Sequence, residues 1–134
     1  MSEMENTALV QQAYALFGRG DIAGLLGLLS DDVSWEMPVV PNVPFSGKFE
    51  GPAAVGRYFA ALAGAVEFLK FEPQEFLAKG DKVVMLGQRQ LRTRQRGVEY
   101  GGPMVQVITV QGGKLKRFED FGDTAQLANA FKVK

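Results

Sequence analysis

The 134-residue chain contains no histidine and no cysteine. Without cysteine there is no disulfide, no thiol nucleophile and no thiolate metal site. Without histidine the chain lacks the commonest general base and the commonest metal ligand. Proton transfer near neutral pH must then fall to a carboxyl, tyrosine or lysine with a shifted pKa. A metal would need oxygen ligands alone, and no spaced acidic loop supplies them, so neither metal nor cofactor is expected. An excess of one charge is missing as well: Lys+Arg and Asp+Glu both number 15. That balance removes any global attraction to nucleic acid or to an anionic membrane. No apolar run reaches the ~18 residues of a membrane span. The acidic, polar start from Met1 to Asn6 is unlike a signal peptide. These absences predict a cytoplasmic protein. No repeat, low-complexity tract or linker divides residues 1–134, so one domain with its own core is expected.

What is present alternates helix and strand signals. Ser2 and Glu5 have capping-box spacing, and Leu9, Val10, Ala13, Leu16 and Phe17 follow at helical steps. Gly18 and Gly20 end that helix. Asp21 can cap a second, with a stripe of Ile22, Leu25, Leu26 and Leu29. Its Gly24 and Gly27 each weaken the helix by roughly 1 kcal/mol relative to alanine. A short strand is predicted from Val33 to Met37, then a loop forced open by Pro38, Pro41 and Pro44. Gly51-Pro52 opens a third helix whose stripe is Val55, Tyr58, Phe59, Leu62 and Val66. Strands are predicted over 67–79, 82–96, 98–111 and 114–121, with Gly112-Gly113 as a hairpin turn. Gly87 and Gly101-Gly102-Pro103 offer places to bend them. A last helix runs from about Thr124 to Lys132, capped by Asp123. The order predicts an α+β fold: helices on one face of a curved, mixed or antiparallel sheet. A bent sheet closed by helices forms a cone with an open end, a natural small-molecule pocket.

The stretch GPMVQVITVQGGKLKRFEDFGDT, from Gly102 to Thr124, carries the chemistry. Strand alternation puts Met104, Gln106, Ile108 and Val110 on one face, opposite Val105, Val107 and Thr109. The first set is expected to line the pocket. A buried amide without a partner costs roughly 1–3 kcal/mol, so Gln106 must bond to backbone, to Asp120 or to a ligand. Asp120 shares its face with Phe118, whereas Glu119 shares the other with Arg117 and Phe121, so one of these acids faces inward. A carboxyl in an apolar pocket has its pKa raised and suits proton transfer. The alternative for Asp120 is a salt bridge to an arginine of the neighbouring strand. Arg89 shares a face with Met85 and Leu91; it can pair with Asp120 or grip an acidic ligand. Trp35 can wall the pocket or plug the core, and Tyr58 places a phenol near the mouth. Glu36 opposes Trp35 and Met37 and points away.

Four segments, GDIAGLLGLLSDDVSWEMP, PFSGKFEGPAAVGRYFAAL, GDKVVMLGQ and GGKLKRFEDFGDT, span nearly the whole chain. Together they resemble the SnoaL-like polyketide cyclase group of the nuclear transport factor 2-like (cystatin-like) superfamily, related to ketosteroid isomerase. The resemblance implies a cone-shaped fold and isomerase- or cyclase-type chemistry without a cofactor. The isomerase's base position would fall on Met37, which cannot take a proton; steroid isomerase activity is therefore not expected. Its oxyanion-hole tyrosine would fall near Ala13, leaving Tyr14 about 100° around the helix and misdirected. Its second oxyanion-hole group would fall on Gln106, where many SnoaL-like relatives carry histidine. Asp120 fits the family's acid position. The resemblance thus implies Asp120 as the proton shuttle and Gln106 as the group that polarises a ligand oxygen. Trp35, Met37, Tyr58, Arg89, Met104, Ile108 and Phe118 would contact the ligand. A rival carboxylate–arginine–carboxylate arrangement, as in epoxide hydrolases of the superfamily, needs a second inward acid that Glu36 does not supply.

The expected ligand is a small hydrophobic, carbonyl-bearing molecule. The alternatives are a non-catalytic binding protein and a dimerisation module. Apolar residues on both faces of the middle strands, Val83 and Met85 against Val84 and Leu86, predict that something covers the outer face. A second copy is the economical answer, and the resemblance also implies a sheet-to-sheet homodimer.

Overall fold

The computed structural model describes residues 2–133. Ser2 caps α1 (Glu3–Gly18): its hydroxyl accepts from the Glu5 N–H while the Glu5 carboxylate accepts from the Ser2 N–H. This reciprocal box satisfies two otherwise orphaned donors. Asp21 likewise accepts from the Gly24 N–H and opens α2 (Ile22–Leu26). The helix stops short of the predicted stripe, because Leu29 leaves it to begin β1 (Leu29–Glu36) and pairs with Leu115. With glycine at positions 24 and 27, a second turn gains less than the strand ladder offers. The proline segment is a loop, as its composition dictates. It ends in β2 (Lys48–Glu50), which pairs antiparallel with β1. Three residues are too few to show an alternation, so this strand leaves no periodic signal in the sequence.

Gly51, at φ 84°, delivers Pro52 to the first turn of α3 (Pro52–Ala65). Val66 is the first residue of β3 (Val66–Lys79), not the last of the helix stripe. The chain then meanders through β4 (Lys82–Thr93), β5 (Glu99–Gln111) and β6 (Lys114–Phe121). Arg94 and Arg96 fall in the β4–β5 turn, which Gly97 closes at φ 68°. Asp123 caps α4 (Thr124–Phe131) by accepting from the Gln126 N–H.

The six strands form one mixed sheet in the order β2-β1-β6-β5-β4-β3. The β1–β6 pair is parallel and every other pair is antiparallel. The β3–β4 register slips between Pro73 and Glu75, beside the Pro73–Gly87 pair. A Cβ at Gly87 would lie 2.3 Å from the Glu72 carbonyl oxygen, so only glycine permits the two strands to bend together there. The bent sheet wraps the helices: Val10, Leu25, Val55 and Leu62 pack in one core with Val83, Leu91 and Ile108. The start of α1 is tied to the β3–β4 turn, where the Glu3 carboxylate accepts from the Gly80 N–H and the Asn6 amide donates to the Gly80 carbonyl. On the convex side two cross-strand rows are apolar, Leu77–Val84–Val107 and Leu86–Val105–Phe121. Among the described residues no helix is long and apolar enough to cross a membrane.

Met85 is fully enclosed at the centre of the concave face. Met85→Ala should lower stability by about 2–5 kcal/mol, the range for emptying a buried large site. Urea unfolding should show the midpoint falling with little change in slope.

Candidate functional site

The cone encloses a cavity of about 110 Å³. Its walls are mostly apolar and rich in aromatic rings. Trp35 on β1 and Phe118 on β6 are register partners, so their rings stack with centres 3.9 Å apart and planes 10° apart. Tyr58 of α3 packs tilted and Phe59 edge-on against Trp35, and Phe17 of α1 packs edge-on against Phe71 of β3. Met37, Ile108, Val10, Leu62 and Leu91 add aliphatic surface to the lining.

Set into these walls is one continuous polar chain. Gln106 on β5 and Asp120 on β6 are direct register partners, and both side chains turn inward. The Gln106 Nε2 donates to Asp120 Oδ1 at 2.8 Å. Arg89 grips the same carboxylate with two nitrogens, Nη1 to Oδ1 at 2.7 Å and Nη2 to Oδ2 at 3.1 Å. At the other end the Tyr14 hydroxyl donates to Gln106 Oε1 at 2.5 Å. Arg89 starts on β4 and reaches past β5 to do this, so its partner is two strands away, not on the neighbouring strand. Its guanidinium lies over Gly122, where a Cβ would come within 2.4 Å of Nη2.

Most of the residues that the sequence nominates border the cavity: Trp35, Met37, Tyr58, Arg89, Gln106, Ile108, Phe118 and Asp120. Met104 does not. It is fully buried, and its methyl group packs into the space that Gly87 leaves open on β4, so it belongs to the core and not to the wall. Tyr14 corrects a second expectation. Both Ala13 and Tyr14 face the cavity. Tyr14 packs between Phe71 and Phe76, with ring centres 6.1 and 5.7 Å away, and this steers its long side chain back to Gln106. Glu119 and Glu36 face the other way, both bound to Arg117. Tyr58 sits inside the cone, where its ring packs against Trp35. The Trp35 N–H makes no hydrogen bond within the protein. Tyr100 was missed. It shares strand parity with Gln106 and Ile108, which is the signal that could have found it, and its buried hydroxyl has no partner.

Electrostatics follow from burial. Desolvation pushes the Tyr14 and Tyr58 phenols far above their ordinary value; the Asp120 charge adds to this and Arg89 opposes it. Burial also pushes Tyr100 up, to about 12, with Arg89 pulling down and Asp120 pushing up. Burial disfavours the charge on Arg89, but the hydrogen bond and charge of Asp120 outweigh it, and the guanidinium is held more firmly protonated. Among the described residues no three carboxylates converge to hold a metal ion.

Residues 10–118 match the family model described as a SnoaL-like domain. An NTF2-like protein from Burkholderia xenovorans LB400 is 32% identical, with 98% of this chain and 99% of that one aligned at a TM-score of 0.89. TerC, solved in complex with polyporic acid, is 28% identical over 96% of this chain and 99% of its own, with a TM-score of 0.81. A Bacillus subtilis protein provisionally named an isomerase shares the fold at 20% identity, covering 98% of this chain and 96% of that one, with a TM-score of 0.80. No curated protein matches the chain.

The chain has three tyrosines, and all three are raised. A phenol whose pKa is higher in the fold than its unfolded value of about 10 contributes stability below that value and loses it as pH rises through the folded pKa. Absorbance at 295 nm should therefore show no phenolate step near pH 10. It should rise only towards about 12, where Tyr100 ionises, together with the loss of structure by circular dichroism. A step near 10 in the folded protein would contradict this placement of the rings.

Proposed function

The chain belongs to the SnoaL-like family, and from that premise we propose that its cone binds a small hydrophobic ring compound bearing a carbonyl or enol oxygen and transfers a proton on it. One observation carries this: a buried polar chain, Tyr14–Gln106–Asp120–Arg89, set into a largely apolar cavity. A carboxylate offers about four lone-pair positions. Asp120 uses two on Oδ1 and one on Oδ2, which leaves Oδ2 able to take one more hydrogen. Asp120 would take a proton from the carbon beside a ligand carbonyl, leaving an enolate, and return it to the enolate oxygen to give the enol. Gln106 and Arg89 would fix the orientation of that carboxylate, to which both already donate. Met37 supplies bulk where ketosteroid isomerase has its base, so the proton chemistry falls to Asp120 on the neighbouring strand β6.

A non-catalytic binding protein is the alternative, favoured by the guanidinium that grips both oxygens of Asp120. Exchange of carbon-bound hydrogen separates the two. With 2-tetralone in D₂O, the wild-type protein should accelerate deuteration beside the carbonyl, read by mass spectrometry. Asp120→Asn that keeps its circular dichroism spectrum should lose about 10²- to 10⁴-fold of that rate. Binding of the ketone without exchange would favour the binding protein, and no binding at all would overturn both.

We also propose that a second copy covers the convex rows from Leu77 to Phe121. Leu77 and Phe121 remain largely exposed in one copy, and a two-fold contact would bury the same stripe twice. Sedimentation velocity should give a dimer for the wild type and a monomer for Val107→Lys. A monomeric wild type at micromolar concentration would refute this.

A further inference from the structure

The polar chain has a fixed direction, and the direction decides what the cavity can recognise. Arg89 has only donors, so both Asp120 oxygens must accept from it. Asp120 Oδ1 then has no proton to give Gln106, and the amide atom 2.8 Å away must be the nitrogen. The amide oxygen is thereby turned to Tyr14, 2.5 Å away. Two oxygens at that separation share a hydrogen, and an amide oxygen has none. The proton is the one Tyr14 owns. This assignment follows from the donor inventory.

We infer that Tyr14 meets a ligand as a hydrogen-bond acceptor, so that the cavity selects a neutral phenol or enol hydroxyl over a carbonyl or ether oxygen. The single phenolic proton is committed to Gln106, and what Tyr14 still offers is lone pairs. A ligand carbonyl placed there would meet lone pair against lone pair. A ligand hydroxyl would extend the chain by one bond, donating to Tyr14, which donates to Gln106, which donates to Asp120. The polarity is the reverse of an oxyanion hole, in which the tyrosine keeps its proton for the ligand. This rests on the cone being the binding site. It sharpens the proton-transfer reading, since an enol held better than its ketone is the difference that accelerates enolisation.

Three two-ring probes test the inference by calorimetry: 2-naphthol, its methyl ether 2-methoxynaphthalene, and the ketone 2-tetralone. One neutral hydrogen bond made or lost changes affinity by about tenfold. The wild type should bind 2-naphthol at least about tenfold tighter than the ether. Tyr14→Phe should reduce that advantage to within about threefold while retaining the ether's affinity. Gln106→Leu, which returns the proton to Tyr14, should raise affinity for 2-tetralone relative to 2-naphthol. An ether or ketone bound as tightly as 2-naphthol by the wild type overturns the inference, as does a naphthol advantage that survives Tyr14→Phe. If the wild type binds none of the three, the cone is not the binding site and both readings fall.

Discussion

The contact between Arg89 and Asp120 orders the interior of this protein. Each charge alone would be costly to bury, and removing either partner of such a pair typically destabilises a fold by about 3–5 kcal/mol. Here the guanidinium meets both carboxylate oxygens, and the amide of Gln106 adds a third bond. The pair spans from β4 to β6 across β5, so it clamps three adjacent strands at the level of the cavity. Gly122 has no side chain to push the guanidinium away. The polar chain is arranged from this pair outward: the carboxylate turns the amide, the amide turns the tyrosine, and the tyrosine closes the chain on α1.

Much of the frame could be read from residues alone. The Ser2 box, the Asp21 and Asp123 caps and the Gly112-Gly113 turn are local devices, and each ends or begins an element where the sequence puts it. The bounds of β6 and the inward turn of Gln106 and Asp120 follow from two-residue alternation, which survives folding because one face is buried. What escaped the sequence needs partners distant in the chain. Leu29 becomes strand because Leu115 waits for it. Arg89 finds Asp120 across an intervening strand, and alternation says which face a residue takes but not how far an arginine reaches. The turn of Tyr14 towards Gln106 depends on two phenylalanines of β3, which no helical wheel contains. Met104 has the right parity for the wall and still misses it, since the glycine beside it leaves a hole that its flexible side chain fills.

An unfilled interior is unusual in a chain of this size, because protein cores pack as densely as organic crystals. Here aromatic rings leave the space open. Trp35, Phe118, Tyr58 and Phe59 brace one another at ring distances of 3.9 to 6.0 Å, so none can swing into the void without losing its neighbours. The same rigidity leaves the Trp35 N–H and the Tyr100 hydroxyl buried without partners.

The amide at position 106 has a consequence for pH. A histidine in its place could gain or lose a proton near neutrality and reverse the direction of the bonds on either side. Glutamine cannot. Arg89 is held protonated by its carboxylate, and the phenol of Tyr14 is held protonated by burial. With a donor-only guanidinium at one end and an untitratable amide in the middle, the hydrogen-bond direction is the same throughout the physiological range. The cavity thereby exchanges the capacity to change charge for a recognition surface whose donors and acceptors stay fixed. A site built this way asks its ligand to bring the mobile proton, and the lone pairs of Tyr14 and the remaining position on Asp120 Oδ2 are the places that can receive it.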